Sequence, residues 1–352
     1  MKILYLYSEL IGYQIPIFQT FVNTYKAEIH VVNWDKKKIK PYIPPEVRGV
    51  TYYKRSEYSK KELLILTKKI GPDIVYISGW MDRGYLYVTK QLKRNGIPVV
   101  TAFDDMWVRS FRQVIGSFIF PFYFKKFFTH AWVAGAYQYE FARRLGFNNN
   151  EIIFDMLSAD TKVFNSKNRQ LDYLNNTPKA FLYVGNFRKV KGFDILIKAF
   201  NIYKKKYSGC WKLICVGNGE LLEIAKNQEQ VEVFPFSKSE KLIEISKLAS
   251  VFILPSRHDQ WGVVVHEFAS LGMPLILSEH VGSRSTFFID NFNGLMFYKN
   301  SPEELAKKMF DFTKIHSDKL QEMSDNSILL SKRITIESSS ANFISILKNK
   351  DT

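Results

Sequence analysis

Two carboxylates, Asp259 and Glu267, lie eight positions apart in the stretch "PSRHDQWGVVVHEFASLG", residues 255–272. The stretch follows an apolar run at 251–254 that has the length of a buried strand. The pattern therefore predicts a strand, then a loop, and then a helix over residues 262–271. Acids at this position invite the question of what ligand they would meet.

The first turn of the predicted helix indicates anion binding. The amides of Gly262, Val263 and Val264 would favour a phosphate through hydrogen bonds and the helix dipole. Glu267 lies one turn further along, where a carboxylate suits the two adjacent hydroxyls of a ribose. Asp259 would face the transferred group beyond the phosphates. Alternatively, Asp259 caps the helix and Glu267 is a surface residue, and spacing alone leaves both interpretations open.

A second polar loop interrupts the segment "FLYVGNFRKVKGFD", residues 181–194. Its apolar start predicts a strand that ends at Gly185, and the carboxyl end of such a strand is where ligands bind in open parallel sheets. Arg188 and Lys191 would point to that edge, and the glycines at 185 and 192 permit close approach of the backbone. The alternative is a solvated basic loop.

Short apolar runs alternate with helical patterns along the whole chain, which predicts an α/β fold with parallel sheets. The polar segment 165–179, which ends in Pro178-Lys179, is predicted to link two such alternations. We therefore expect two Rossmann-like domains that face each other across a deep cleft. Their predicted bounds are 1–168 and 179–332, and a last helix within 333–352 is expected to pack back toward the N-terminal domain.

The composition favours an anionic partner. The 352 residues include 50 Lys and Arg against 34 Asp and Glu, and residues 1–168 carry 25 basic against 14 acidic side chains. No nucleic-acid-binding motif accompanies this charge, so nucleic acid is not expected. Two cysteines cannot form a disulfide framework. The N-terminal apolar run is too short for a signal peptide and no run could cross a bilayer, which predicts a cytoplasmic protein.

The segment "WVRSFRQVIGSFIFPFYFKKFF", residues 107–128, mixes four basic residues with eight Phe and Tyr. Such a segment is typical of a peripheral contact with an anionic membrane. The alternative is that its aromatic side chains form part of the core of the first domain.

Four blocks in the second half carry a family resemblance: "YVGNFRKVKGFDILIKAF" (183–200), "CVGNGELLEI" (215–224), "PSRHDQWGVVVHEFASLGMPLI" (255–276) and "VGSRSTFFIDNFNGLMF" (281–297). They resemble the nucleotide-binding domain of glycosyltransferase family 4, the retaining enzymes of the GT-B fold. The first half is similar more loosely, through segments such as "PDIVYISG" (72–79), "GIPVVTAFDD" (96–105) and "SADTKVF" (158–164).

The resemblance implies roles for individual residues. Lys191 matches the lysine on the donor diphosphate, and Glu267 matches the glutamate that contacts the ribose. Asp259 stands where the family has a further glutamate, one methylene longer. Asn186 stands where the family has an arginine, a charge that Arg188 is expected to supply.

The wider donor-binding set implied by the resemblance is Gly185, Asn186, Lys191, Gly217, Phe236, Gly262, Val263, Val264 and Glu267. On the acceptor side, Gly12 is the single glycine of a loop that usually has two adjacent ones, and Phe103 replaces the histidine expected before Asp104. These departures concern the acceptor more than the donor.

The implied activity is the metal-independent transfer of a hexose-type sugar, with retention of configuration, from a UDP- or GDP-sugar to a glycan or lipid-linked acceptor in bacterial lipopolysaccharide or capsule synthesis. No cofactor is expected. A metal site at Asp104-Asp105 is the less favoured alternative for transfer. A nucleotide-sugar epimerase or hydrolase on the same scaffold, or a protein that only binds the sugar nucleotide, are the alternative functions.

Overall fold

A computed structural model describes residues 1–8, 10, 12–36 and 44–348. Within them, the strands are β1 Lys2–Tyr7, β2 Glu28–Asn33, β3 Val50–Lys54, β4 Ile74–Ile77, β5 Val99–Phe103, β6 His130–Val133, β7 Ile152–Ile153, β8 Ala180–Val184, β9 Lys212–Val216, β10 Val231–Phe234, β11 Val251–Leu254, β12 Leu275–Ser278 and β13 Gly294–Phe297.

The helices of the same residues are α1 Gln14–Tyr25, α2 Lys60–Ile70, α3 Arg83–Arg94, α4 Phe111–Tyr123, α5 Ala136–Arg144, α6 Ser166–Arg169, α7 Phe193–Tyr207, α8 Leu222–Lys226, α9 Ser239–Ser246, α10 Val263–Ser270, α11 Arg284–Phe287, α12 Pro302–Phe312, α13 Ser317–Ser331 and α14 Ile336–Lys348. Contacts divide the chain into two units, Met1–Ser158 with Ile334–Thr352, and Ala159–Arg333.

The first unit contains a parallel sheet in the order β3-β2-β1-β4-β5-β6-β7. Its central strands are continuous apolar runs because both faces of the sheet are covered. Tyr5 of β1 stacks on Tyr76 of β4 with ring centroids 4.5 Å apart. The strand order reverses between β1 and β4, which makes the carboxyl ends of these strands the expected ligand edge of this unit.

Helix α14 completes the core of the first unit, although it follows the second unit in the sequence. Its Phe343 is fully buried. The Phe343 ring lies 5.0 Å from Trp132 of β6 and 5.5 Å from Phe21 of α1, measured between centroids.

The second unit contains a parallel sheet in the order β10-β9-β8-β11-β12-β13. Val251 of β11 pairs with Phe181 of β8, although the two strands are far apart in the sequence. Strand order reverses between these two strands, so the loops that follow them share the carboxyl edge where ligands bind in such sheets. The α/β fold of two parallel-sheet units is the predicted one.

The boundary between the units differs from the predicted one. Residues 165–179 pack on the second unit, since Arg169 is buried and donates to the carbonyls of Ser246, Ala249 and Gly272. The hydroxyl of Tyr173 also donates to the carbonyl of Ser250, at 2.6 Å. The polar composition of this segment predicts an exposed linker and gives no sign that Arg169 and Tyr173 are buried. Residues 159–168, which the prediction gave to the first domain, therefore belong to the second unit.

Candidate functional site

The loops after β8 and β11 contact each other at the switch point of the second sheet. Gly192 ends the first loop with φ +66°, and a Cβ there would lie 1.8 Å from the carbonyl oxygen of Pro255. Only glycine allows both this backbone conformation and this approach. The Arg257 amide donates to the carbonyl of Val190 at 3.0 Å, which joins the two loops further.

An ion pair links the two loops. Lys191 Nζ lies 2.8 Å from Asp259 Oδ2, and the side chains are 31% and 8% exposed, respectively. The hydroxyl of Ser256 donates to the same oxygen at 3.2 Å. The predicted site residues Lys191 and Asp259 are thus brought together, a pairing that the sequence did not predict.

The start of α10 lies beside Asp259. Gly262 is the N-cap residue with φ +83°, and an ideal Cβ there would lie 3.4 Å from the carboxyl carbon of Asp259. No side chain of the described residues caps the helix, so the alternative that Asp259 is the helix cap is wrong. Among the described residues there is also no acceptor for the backbone amides of Val263 and Val264. The helix therefore begins with free donors beside Asp259, the ion-pair partner of Lys191.

Glu267 follows one turn later on α10. Part of its surface is accessible. The dense protein around it nevertheless raises the pKa of its carboxyl to about 7, because desolvation disfavours the charged form. A ligand that donates hydrogen bonds to this carboxylate would replace the lost solvation.

His266, the neighbour of Glu267, holds α10 in the second unit. Its Nδ1 accepts from the amide of Ala159 at 3.0 Å, so the proton is on Nε2, which lies 2.9 Å from the carbonyl oxygen of Ser331. The ring also stacks on Phe287 with centroids 4.0 Å apart. Burial lowers the pKa of His266 to about 4, so the ring is neutral and structural.

A second ion pair, between Arg257 and Asp194, stabilises the site and was not predicted from the sequence. Arg257 donates to both carboxyl oxygens of Asp194 at 2.5 and 2.8 Å, and to the carbonyl of Lys189 at 2.5 Å. This fork fixes the loop that carries Lys191 to the loop that carries Asp259. Both residues lie in the quoted motifs, but a separation of 63 positions gave no sign of their pairing.

The other predicted donor residues surround these loops. A Cβ at Gly217 would lie 2.0 Å from the carbonyl oxygen of Gly185, so these glycines let the loops after β8 and β9 touch. Asn186 is exposed, and its carbonyl accepts from the hydroxyl of Tyr183 at 2.8 Å. Phe236, just after β10, is 83% exposed.

The expected role of Arg188 as a replacement charge remains a prediction. The side chain is exposed, and it makes no hydrogen bond or ion pair within the described ranges. It is therefore available to a ligand without the loss of a protein partner.

The predicted acceptor residues lie in the first unit. The carbonyl of Gly12 accepts from the amide of Ile15 at 3.2 Å, just before α1. The carbonyl of Asp104, just after β5, accepts from Gln138 Nε2 at 2.9 Å. Among the described residues, no group of three His, Cys, Asp or Glu side chains could hold a metal ion, so Asp104-Asp105 gains no third ligand there.

The second unit is similar to a known protein family. Residues 165–329 match the family described as glycosyl transferases group 1. An uncharacterised glycosyltransferase of Methanocaldococcus jannaschii is 28% identical over 195 residues, which cover 53% of each chain. One of Haemophilus influenzae is 30% identical over 166 residues, which cover 45% of this chain and 46% of the relative. The chain thus spans about half the length of these curated relatives.

The fold is similar to that of solved GT-B structures. Anabaena HepE, solved in complex with UDP, aligns with a TM-score of 0.74 at 14% identity, over 99% of this chain and 100% of HepE. The two parallel-sheet units are therefore those of the GT-B fold.

Proposed function

We propose that this chain is a retaining, metal-independent hexosyltransferase of the family 4 type. Its donor is a UDP- or GDP-sugar, and its acceptor is a glycan or lipid-linked molecule in the synthesis of a bacterial surface polysaccharide. The match of residues 165–329 to group 1 glycosyl transferases supports sugar transfer, and the HepE complexes with UDP and UDP-glucose support the donor class. The proposal includes a cytoplasmic location, peripheral on the inner face of the cell membrane.

The observation that carries the proposal is the combination at the start of α10. Lys191 Nζ is paired with Asp259, which lies against Gly262, the N-cap residue of α10, and the amides of Val263 and Val264 at this positive end of the helix are free. Ammonium and amide donors together are the groups that bind a pyrophosphate without a metal. Glu267, one turn away, offers two carboxyl oxygens to the ribose hydroxyls.

The bond between the anomeric carbon and the phosphate oxygen breaks, and an acceptor hydroxyl oxygen bonds to the same carbon while its proton goes to the departing phosphate. The electron pair of the broken bond stays on the phosphate, so negative charge grows there before the proton arrives. Lys191 and the α10 amides would stabilise this charge, and each such donor is worth roughly 2.7–4 kcal/mol of barrier in a water-excluded site. Because they are fixed before the reaction, little reorganisation is needed.

Lys191 would be shared between Asp259 and the diphosphate. Asp259 lies 2.8 Å from the ammonium before the donor binds and so competes with the phosphates for it. The resemblance gives Asp259 a contact with the transferred sugar, at the position of a longer glutamate. An aspartate there is one methylene shorter than glutamate and leaves a gap next to the sugar. Donors whose sugar carries a group that fills this gap are expected to bind best.

Labelled nucleotide-sugars, incubated with the chain and with or without a lipid acceptor extract, test the proposal. Labelled lipid-linked product is expected only when extract and chain are both present. Free monosaccharide or an epimer would instead indicate the hydrolase or epimerase, and a bound but unchanged donor would indicate a protein that only binds it; each result contradicts transfer.

Two neighbouring lysines provide a matched pair for this assay. Lys191→Met is expected to lower the transfer rate by about 100-fold or more, because one transition-state donor is lost. Lys189→Met removes an exposed ammonium two positions away and should leave transfer unchanged. Equal losses for the two variants would refute a specific role for Lys191.

A further inference from the structure

Helix α4 presents an apolar surface to solvent instead of to the core. Within the helix, Phe120 is buried and its ring lies 4.8 Å from Trp80, which attaches the helix to the first unit. Six other apolar side chains recur at the spacing of one helical face. This outer stripe consists of Phe111, Val114, Ile115, Phe118, Ile119 and Phe122.

The exposure of the outer stripe is large. Phe111, Phe118 and Phe122 are 81%, 73% and 78% exposed, and the three aliphatic members are 37% to 43% exposed. A helix with an i, i+3, i+4, i+7 apolar pattern normally turns that face inward. A continuous exposed apolar surface on a chain indicates a binding partner. The alternative that the aromatic side chains of this segment form core holds for Phe120 and Phe128, and Phe124 and Phe127 pack against that core. It is wrong for the exposed members, which are Phe111, Phe118, Phe122 and Tyr123.

The charges around the outer stripe identify the kind of partner. Arg109 precedes the helix, Arg112 lies in its first turn, and Lys126 follows its end; all three are exposed. No Asp or Glu occurs anywhere in residues 106–139. An apolar face between basic ends complements the headgroups and acyl chains of an anionic bilayer.

A second copy of the chain fits this surface less well. Pairing two outer stripes would bring basic residues of both copies together whichever way the two helices run, and like charges at an interface cost binding energy. An anionic lipid surface instead gains from each of these charges. Among the described residues, no helix combines the length and the apolar composition needed to span a bilayer.

We propose that α4 lies flat in the interface of an anionic membrane, with the outer stripe among the acyl chains and Arg109, Arg112 and Lys126 at the headgroups. Phe111, Phe118 and Phe122 are the main anchors, because they are the most exposed members of the stripe. This surface belongs to the first unit, and its lipid binding does not depend on donor binding in the second.

Co-sedimentation with vesicles tests this surface. The full chain should bind vesicles that contain phosphatidylglycerol, bind pure phosphatidylcholine vesicles more weakly, and be released in part by salt, which screens the charges. The double variant Phe118→Ser/Phe122→Ser should weaken binding at least roughly tenfold, since two aromatic rings no longer enter the bilayer. Arg112→Gln/Lys126→Gln should lower the preference for the anionic vesicles by roughly fivefold per charge.

Ile65→Ser is the matched control. Ile65 is 67% exposed on α2 of the same unit and, like the outer stripe, has basic residues nearby. It is not part of an exposed apolar stripe, so its replacement should leave vesicle binding unchanged. Circular dichroism checks that each variant is folded; all changed side chains are exposed, so folding should be kept. Sedimentation without lipid measures self-association.

Three results would overturn the proposal: a wild-type chain that ignores anionic vesicles, a serine double variant that binds them as the wild type does, or a wild-type dimer that this double variant dissolves. The last would identify the stripe as a protein interface. Stabilisation by UDP, measured on the same variants, separates this test from the proposed function: it should be equal in all of them, and its absence in all would count against the donor site alone.

Discussion

Replacing Lys191 with methionine should lower the free energy of unfolding by about 1–3 kcal/mol. The ammonium lies 2.8 Å from Asp259, a distance at which Coulomb's law with an effective dielectric constant of about 20 gives an attraction of about 6 kcal/mol. Desolvation and side-chain ordering offset part of this attraction. With Lys191 31% exposed and Asp259 8% exposed, the pair lies between fully buried pairs and surface pairs.

The partner variant and the double variant isolate the interaction. Asp259→Asn should lower the free energy of unfolding less than Lys191→Met does. In Asp259→Asn the unpaired Lys191 ammonium can turn to solvent, whereas in Lys191→Met the unpaired Asp259 carboxylate stays buried. Lys191→Met/Asp259→Asn should recover much of the loss, which gives a coupling energy of roughly 1–2 kcal/mol. Lys189→Met serves as the control and should stay within about 0.5 kcal/mol of the wild type.

Urea unfolding near neutral pH, followed by circular dichroism and tryptophan fluorescence, measures these energies. The same variants are then titrated with UDP. Because Asp259 competes with the phosphates for Lys191, Asp259→Asn should bind UDP more tightly than the wild type, and both variants without Lys191 should bind it weakly. Additive single changes, or a UDP affinity that falls in Asp259→Asn, would refute this reasoning.

Three further substitutions test other parts of the structure. Burial raises the pKa of Glu267 to about 7, so the folded chain favours the protonated carboxyl and loses stability as pH rises from about 4.5 through 7. Glu267→Gln should therefore be more stable than the wild type at about pH 8, by up to about 3 kcal/mol, and similar to it at about pH 4. Unfolding titrations at the two pH values measure this difference. Equal pH profiles would count against the desolvated carboxyl. Gly192→Ala places a Cβ 1.8 Å from the Pro255 carbonyl oxygen and should lower the free energy of unfolding by more than about 3 kcal/mol. Gly96→Ala is the control, because Gly96 also has a positive φ, +77°, but a Cβ added there meets no atom within 4 Å; it should lower that energy by only about 1 kcal/mol. Similar losses would mean that the close approach at Gly192 does not matter. Phe343→Ala should destabilise the first unit by about 3–5 kcal/mol, because the ring is fully buried; a loss below about 1 kcal/mol in thermal unfolding would show that α14 is not part of that core.

The sequence predicts the central strands well because buried parallel strands are continuous apolar runs. Strand β11 has its predicted bounds of 251–254. Strand β3 lacks such a run, because its residues, "VTYYK", are half-buried or exposed at the edge of the sheet. Strand β7 is only two residues long and leaves no pattern to detect.

Local patterns located the site but not its pairing. The loops at 185–192 and 255–262 each follow an apolar run, so their position at the sheet edge follows from topology. The contact of Lys191 with Asp259 joins residues 68 positions apart, and no local spacing encodes it. Likewise, the apolar period of α4 predicts one apolar face but cannot tell whether the core or the solvent meets it.

A crystal structure with UDP bound would show whether these residues form the donor site. We expect phosphate oxygens within about 3 Å of Lys191 Nζ and of the amides of Val263 and Val264, with the ribose hydroxyls on Glu267. A nucleotide bound elsewhere, with Lys191 still paired to Asp259 and Glu267 without a ligand, would contradict this expectation.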